Sequence, residues 1–485
     1  MPRQPVPAGA ADRPAGRAAH EQATPGGAGR DLDRASIPPS ARPSGDGPAG
    51  PTAARHLRAR PPHGGATARD RGGRTGPGRG RAGRDGAGGR RVTGPWWSRH
   101  ASARWAWRAW RRGDVDECER LARTVPAPAR DRLLFLTSFA KGRYERALDH
   151  YAALPRPPRA LDEPVADAWL HLDRPDKAVE HLRRRGRPQD ARARLQAHRP
   201  LQITLDTTTV VPFIDDELAP YLPGLAATLN GVATSVRVDT GGTFVVMGAG
   251  RAAEHRLTTV EGGHADHGLA RTQVRHAIAE ELRLGTAVLA NVPVDVLPTL
   301  DGEQDFILIG TNLLQRFLTT LDHPSRRLIL SPRRNEAEAA AHARLLSPAD
   351  PITELPFYLW GDHYMFARGG FGPRRDLNFF IDTGLAYLTQ DDGGPLRQAA
   401  LWSTTTNYRS WGVPSTLARP PHFSSPLPLS LGELQRRDLL LAASSVRTMP
   451  WSSLGGVRID GLLCLGFLGA YSWTLDFDRR RYVFR

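Results

Sequence analysis

Two copies of the tripeptide Asp-Thr-Gly lie 143 residues apart, at Asp239-Thr240-Gly241 and Asp382-Thr383-Gly384. Each copy follows a short apolar stretch that is typical of a strand, Val236–Val238 in one case and Phe379–Ile381 in the other. Two carboxylates brought face to face share a proton and activate a water, because like charges that close do not both ionise. One copy alone would indicate only a turn, whereas two copies predict a paired-carboxylate site.

The context of the two motifs is repeated as well. An apolar phrase with an early glycine comes late in each half, at Ile309–Phe317 and at Cys464–Tyr471, and it aligns Gly310 with Cys464. Each phrase is followed by Thr-Leu-Asp and a basic pair: Thr320-Leu321-Asp322 with Arg326-Arg327, and Thr474-Leu475-Asp476 with Arg480-Arg481. The repeat predicts two β-rich lobes related by a pseudo-twofold axis, because a duplication within one chain replaces the symmetric dimer that a single lobe would need.

Each half resembles a lobe of the retropepsin-like aspartic peptidases. The matching features are an opening strand, an Asn-Gly hairpin turn at Asn230-Gly231, the strand into Asp-Thr-Gly and the late apolar phrase. The resemblance covers residues 199–333 and 353–485. It implies that Asp239 and Asp382 are catalytic, that Thr240 and Thr383 interlock the lobes, and that Gly241 and Gly384 permit close backbone approach.

The resemblance also implies a substrate and a cover for it. The substrate would be an extended peptide or protein segment bound between the lobes, with no cofactor and no metal, and the catalytic unit would act as a monomer. The flap that covers the substrate is predicted at the Gly-rich stretch 261–268, with Gly262 and Gly263 as candidates. The second half has only the polar run Thr404–Tyr408 at a comparable place, and no flap is assigned there.

The residues after each motif depart from the family pattern. The family places a hydroxyl residue two positions after the glycine, where it hydrogen-bonds the catalytic carboxylate. The first half has Gly242-Thr243 and keeps a hydroxyl, while the second has Leu385-Ala386 and does not. Two functions therefore stay open: an aspartic endopeptidase, or a catalytically inactive scaffold that binds peptides.

Residues 97–198 have a helical, Ala-, Leu- and Arg-rich texture. Three similar phrases, each a helix break followed by a new amphipathic helix, recur at 113–118, 142–147 and 173–178. The spacing of 29 and 31 residues predicts stacked helical hairpins that resemble degenerate tetratricopeptide-type repeats. Such a module docks a protein partner or packs on its own neighbouring domain, and a plain helical bundle remains an alternative.

Taken together, the chain is predicted to be a multidomain α + β protein, with a helical-repeat domain followed by a mainly β bilobal domain. The expected divisions are a disordered Arg/Gly/Pro-rich tail, a helical-repeat domain, the first lobe, a linker and the second lobe, at residues 1–96, 97–198, 199–333, 334–352 and 353–485.

Composition limits the other classes of function. Much of the net charge of +16 lies in the first 100 residues, which hold 18 Arg and seven acidic residues, so nucleic-acid binding is expected of the tail at most and is disfavoured. The sequence contains no run of about 18 apolar residues, so no membrane span is predicted. Cys118 and Cys464 are far apart, which favours a reducing, cytoplasmic setting. The histidines at 255, 264, 267 and 276 lack the further ligands that a metal site needs.

Overall fold

The computed structural model describes residues 96–485, apart from 189, 268–269, 301–304, 348–349, 386 and 391–394. The predicted disordered tail therefore lies outside the described residues except for Trp96. Within the described part of the chain, no helix has both the length and the apolar character that crossing a bilayer requires.

Seven α-helices come first in the described part of the chain. They are α1 (Trp96–Arg111), α2 (Val115–Ala122), α3 (Ala129–Ala140), α4 (Tyr144–Ala152), α5 (Asp162–His171), α6 (Pro175–Arg184) and α7 (Ala191–His198).

These helices pack in sequential pairs, α1 with α2, α3 with α4 and α5 with α6. Each pair turns at a residue in the left-handed region, Gly113 (φ 71°), Gly142 (φ 69°) or Asp173 (φ 56°), and the next helix begins two residues later. A left-handed residue ends a helix because it turns the chain out of the helical path. The helix breaks therefore lie at the three phrases that the sequence repeats.

The described residues of the first β half form eleven strands and two short α-helices. They are β1 (Gln202–Thr204), β2 (Thr209–Pro212), β3 (Gly224–Leu229), β4 (Val232–Asp239), β5 (Val245–Met247), α8 (Ala249–Glu254), β6 (Val260–His267), β7 (Ala270–Leu284), β8 (Ala287–Val296), β9 (Leu308–Gly310), α9 (Thr311–Leu314), β10 (Phe317–Asp322) and β11 (Arg327–Pro332). Eight of the strands form one sheet in the order β1-β8-β5-β9-β4-β3-β7-β6. The predicted turn at Asn230-Gly231 joins β3 to β4, with both residues at positive φ.

The second β half begins with a helix that packs on β11. Its elements are α10 (Glu336–Arg344), β12 (Thr353–Trp360), β13 (Tyr364–Phe371), β14 (Arg374–Ile381), β15 (Leu388–Gln390), β16 (Leu396–Gln398), β17 (Leu401–Thr404), α11 (Thr405–Ser410), β18 (His422–Ser425), β19 (Leu429–Leu431), β20 (Leu434–Arg436), β21 (Leu439–Ser444), β22 (Ser453–Leu454), β23 (Val457–Arg458), β24 (Gly461–Leu463), α12 (Leu465–Leu468), β25 (Ser472–Asp476) and β26 (Arg481–Phe484). A sheet runs through most of these strands and continues through β25, β10, β11 and β2, so strands of both halves share it.

One pairing pattern occurs in both halves. β9 pairs parallel with β4 and antiparallel with β5, and β24 pairs parallel with β14 and antiparallel with β17. Gly310, the last residue of β9, and Cys464, the residue directly after β24, each cap a short helix in extended backbone, with φ −110° and −111°. The alignment of Gly310 with Cys464 is thus found in the geometry.

The helices pack directly on the second β half. Phe380 of β14 lies in an apolar cluster with residues of α1 to α5, whereas its neighbours Phe379 and Ile381 lie in the main cluster of the β sheets. Trp110 of α1 donates from its indole to the carbonyl of Gly455 at 2.9 Å. A helical module of this kind is expected either to dock a protein partner or to pack on its own neighbouring domain. The structure shows the helices packed on the chain's own neighbouring strands.

Candidate functional site

Both motif aspartates lie at the end of a central strand. Asp239 is the last residue of β4, and Asp382 directly follows β14; both are half-buried. The backbone N–H of Gly241 donates to Asp239 Oδ1 at 2.7 Å, and that of Gly384 donates to Asp382 Oδ1 at 3.0 Å. Leu385 adds a second N–H to Asp382 Oδ1, at 3.1 Å. Each carboxyl is therefore fixed by the backbone of its own motif.

The two carboxyls cross over onto the opposite motif. A Cβ built on Gly241 would lie 2.6 Å from Cγ of Asp382, and a Cβ built on Gly384 would overlap the carboxyl of Asp239. Glycine at both positions therefore lets the two acids approach each other. Burial and the negative charge of Asp239 raise the pKa of Asp382 well above its usual value, although the N–H groups of Gly384 and Leu385 act in the opposite direction.

Thr240 and Thr383 form a reciprocal set of four hydrogen bonds beneath the acids. The backbone N–H of Thr240 donates to Thr383 Oγ1 at 2.9 Å, and that of Thr383 donates to Thr240 Oγ1 at 3.1 Å. Each hydroxyl then donates to the backbone carbonyl before the opposite aspartate, Thr240 to Ile381 and Thr383 to Val238, both at 3.0 Å. Both side chains are buried, so the arrangement locks the two strand ends together away from water.

Thr243 does not make the bond that the family pattern predicts. Its hydroxyl donates to Asp295 Oδ2 at 2.7 Å and not to Asp239. Asp295 lies on β8 and also accepts from His276 Nδ1 at 2.7 Å. No local sequence signal points to Asp295, because its partners come from distant parts of the chain.

The chain between the second motif and its strand is longer than in the first half. β5 begins six residues after Asp239, whereas β17 begins 19 residues after Asp382, which amounts to 13 additional residues. The additional segment includes the β15–β16 hairpin. It contacts the first half, since Gln398 Nε2 donates to the carbonyl of Tyr221 at 2.8 Å and the Tyr221 hydroxyl donates to that of Leu396 at 3.2 Å.

This insertion corrects the alignment of Leu385-Ala386 with Gly242-Thr243. The backbone N–H of Cys464 bonds to the carbonyl of Ala400 as that of Gly310 bonds to Phe244. The counterpart of the hydroxyl residue is thus the alanine before Ala400, and Leu385 opens the insertion. Ala386 lies outside the described residues.

The flap candidates lie on a long hairpin, but not at its tip. Gly262 and Gly263 are in β6, which pairs with β7 over most of its length, and the tip at 268–269 is outside the described residues. A Cβ on Gly262 would overlap the ring of His276, so glycine lets β6 pass close over that side chain. In the second half, Thr404–Tyr408 ends β17 and forms most of α11.

The remaining sequence candidates have ordinary protein partners. His255 Nδ1 lies 3.2 Å from the carbonyl of Leu229, and His276 bonds to Asp295. Cys118 and Cys464 are both buried thiols, and burial raises the pKa of each; for Cys464 the charge of Asp382 adds to the effect.

Comparison with known proteins adds one family. Residues 225–313 match the family model of aspartyl proteases. The matched segment runs from β3 into α9, so it holds Asp239 but not Asp382. It supports an aspartic peptidase family for that segment. A search of curated proteins gives no match.

Solved structures with partial similarity include three proteins. A retropepsin-like aspartic protease from Rickettsia conorii is 18% identical, with 27% of this chain and 93% of that chain covered and a TM-score of 0.22. Conglutin gamma, a basic 7S globulin from lupine seeds, is 10% identical over 58% and 95% of the two chains, with a TM-score of 0.36. An aspartic proteinase from Irpex lacteus is 12% identical over 57% and 97%, with a TM-score of 0.33.

Proposed function

We propose that this chain is an aspartic-type endopeptidase, built from two lobes related by a pseudo-twofold axis, with one catalytic carboxyl from each lobe. The observation that carries the proposal is the reciprocal set of hydrogen bonds between Thr240 and Thr383. These bonds join the two strand ends that carry Asp239 and Asp382. The family match over the first motif supports the same function.

The proposed chemistry uses the two carboxyls in different roles. Asp382, whose pKa is raised, holds the proton that the pair shares. Asp239 is then the carboxylate that takes a proton from a water between the two acids, and the water attacks the peptide carbonyl. Asp382 donates its proton to the carbonyl oxygen as the tetrahedral intermediate forms. As the C–N bond then breaks, Asp239 gives the proton it took to the amide nitrogen, and Asp382 regains a proton from a hydroxyl of the intermediate. A free carboxylic acid and a free amine leave, and no residue is acylated.

The substrate class proposed is an extended peptide lying across the acids. The β6–β7 hairpin would cover it as a flap, since closure over a bound substrate excludes water from the reaction. The insertion after Gly384 would border the same groove from the other side, where it meets Tyr221. The helical pairs α1–α6 would be degenerate tetratricopeptide-type repeats, and a protein partner would bind the surface that the β strands leave uncovered.

The experiment compares cleavage of a denatured protein and of a peptide library between about pH 3 and pH 7. Wild type should cut, and Asp239→Asn and Asp382→Asn should each lose most of the activity because the pair then lacks its base or its acid. Asp215→Asn is a matched control, since that carboxylate is 94% exposed and pairs with Arg326 on the surface.

The insertion at the second motif favours a second candidate, a catalytically inactive scaffold that binds peptides. On this alternative, wild type and Asp239→Asn are equally inert in the cleavage assay. Both proteins would still bind library peptides with similar affinity. That combination of results would reject the endopeptidase.

A further inference from the structure

A buried ionic cluster joins α7 to the first half of the candidate site. Arg192, the second residue of α7, is 11% exposed and carries two carboxylate partners. Its Nη1 lies 3.2 Å from Asp295 Oδ2, and its Nη2 lies 2.5 Å from Asp362 Oδ2. Asp295 belongs to β8 of the first β half, whereas Asp362 lies in the turn between β12 and β13 of the second. One guanidinium therefore bridges three parts of the chain.

Asp295 connects Arg192 to the loop that follows Asp239. Its Oδ2 accepts from both Arg192 and Thr243, and Thr243 lies four residues after Asp239. The Arg192 guanidinium also lies 6.0 Å from the ring of Phe244, the next residue of that loop. A shift of Asp295 would thus move the segment that follows the first motif.

Asp295 also connects Arg192 to the β6–β7 hairpin. Its Oδ1 accepts from Nδ1 of His276 on β7, and the two residues face each other across the β7–β8 pair. The His276 ring lies under Gly262 of β6, where a Cβ would overlap it. In addition, α7 itself packs against β6, β7 and β8. The base of the hairpin is held from below by the same carboxylate.

Charges buried together in this way stabilise a structure only while every partner is present. Burial alone would raise the pKa of Asp295, but the nearby Arg192 and His276 outweigh this effect and hold that pKa below its usual value. The pKa of Asp362 is lowered too, by His363 and Arg192 acting against burial. Loss of Arg192 would leave Asp295 with His276 and Asp362 with His363 as hydrogen-bond partners, so both buried carboxylates would lose the guanidinium that they share and would shift away from their present positions.

We propose that Arg192 is a positioning residue through which the helical region sets the loop after Asp239 and the base of the β6–β7 hairpin. The role of the hairpin as a flap rests on the proposed function. The positioning does not, because the contacts hold whether or not a peptide is cut. The helical region is then part of the device that places the flap relative to the acids.

The test is hydrogen–deuterium exchange on the full chain, with Arg192→Met compared to wild type. Exchange should rise about tenfold or more in the arms Val260–Gly263 and Thr272–His276 and in the segment Thr240–Met247, since local opening sets exchange there. Arg194→Met is the matched control, because Arg194 lies on the exposed side of α7. Arg192→Lys should give an intermediate rise, since one ammonium reaches only one of the two carboxylates.

A second readout separates this proposal from the proposed function. In an active protein, Arg192→Met should lower kcat/KM for extended peptides by about tenfold to a hundredfold, as expected when the reacting groups shift by about 1 Å. If the exchange increase is confined to α7 and the turn at Gly361–His363, the positioning role is rejected even when the wild type cuts peptides. If exchange rises in the arms but neither wild type nor any variant cleaves peptides, the positioning role is supported and the endopeptidase function is rejected. Should Arg192→Met fail to fold, Arg192→Lys decides by the same exchange pattern.

Discussion

Thr320 of β10 and Thr474 of β25 face each other as direct partners in the antiparallel pair that joins the two β halves, and their Oγ1 atoms are 2.6 Å apart. They occupy the same position in the repeated Thr-Leu-Asp phrase, 154 residues apart. His342 of α10 extends the contact, with Nε2 2.6 Å from Thr320 Oγ1 and Nδ1 2.7 Å from Ser331 Oγ. All four side chains are buried.

Thr320→Val should lower the free energy of unfolding by about 1–3 kcal/mol, because it leaves buried groups of Thr474 and His342 without their partner. Thr474→Val should cost less, since His342 keeps its bond to Thr320. Denaturant unfolding of both variants and of the double variant gives the measurement. The double variant should lose less than the sum of the two single losses, and strict additivity would show that the two hydroxyls do not interact.

Asp382→Asn should be more stable than wild type at pH 7 and equally stable near pH 3.5. The folded-state pKa of Asp382 is raised, so the folded chain binds the proton more tightly than the unfolded chain, whose Asp pKa is about 3.9. Wild-type stability therefore falls as pH rises through the interval above that value, and the asparagine removes this fall. The gain at pH 7 should appear as a rise of a few degrees in Tm.

The control for that measurement is Asp215→Asn, whose carboxylate is 94% exposed. Its Tm should follow wild type at every pH. A lower Tm for Asp382→Asn than for wild type at pH 7 would contradict the raised pKa.

Peptide cleavage should show a bell-shaped dependence of kcat/KM on pH. Activity requires one proton on the pair, so the rate should fall on the alkaline side as Asp382 loses its proton and on the acid side as Asp239 gains one. Because the pKa of Asp382 is raised well above its usual value, the alkaline limb should lie well above the ordinary range for an aspartate. Initial rates in buffers of constant ionic strength give the profile, and a rate that is flat with pH would exclude the paired-acid mechanism.

Two glycines near the carboxyl of Asp239 should respond differently to alanine. A Cβ on Gly384 overlaps that carboxyl, whereas a Cβ on Gly242 lies 3.0 Å from its Oδ2. Gly384→Ala should therefore abolish cleavage by pushing the acids apart, and Gly242→Ala should keep a measurable fraction of it. Equal kcat/KM for the two variants would show that the crossed approach of the acids is not needed.

Several features of this molecule could be predicted from sequence because their signals are local. Asp-Thr-Gly after an apolar strand places a carboxyl at a strand end, and the structure sets the two strand ends together. The helix breaks at Gly113, Gly142 and Asp173 could be predicted because the left-handed backbone that ends a helix favours particular residue types.

Other features have no local signal. The 13 additional residues after the second motif could not be placed from the tripeptide, because Leu385 and Ala386 follow Gly384 directly and align by position with Gly242 and Thr243. Only the strand pairs show that β17 is the counterpart of β5. In the same way, Thr243 would be expected to bond Asp239, and its bond to Asp295 depends on a strand more than 50 residues away. The bridge through Arg192 joins three distant segments, so nothing within any one of them predicts it.

The two faces of β14 have a consequence for how this protein unfolds. Phe380 belongs to the core of the helices, while Phe379 and Ile381 belong to the core of the sheets, and Asp382 follows them directly. Unfolding of the helices would expose the apolar side of β14 that carries Phe380 to water. β14 would then not stay folded by itself. The helices and the strand that ends at Asp382 should therefore lose their structure in one cooperative transition, and the paired acids exist only while the helices are folded.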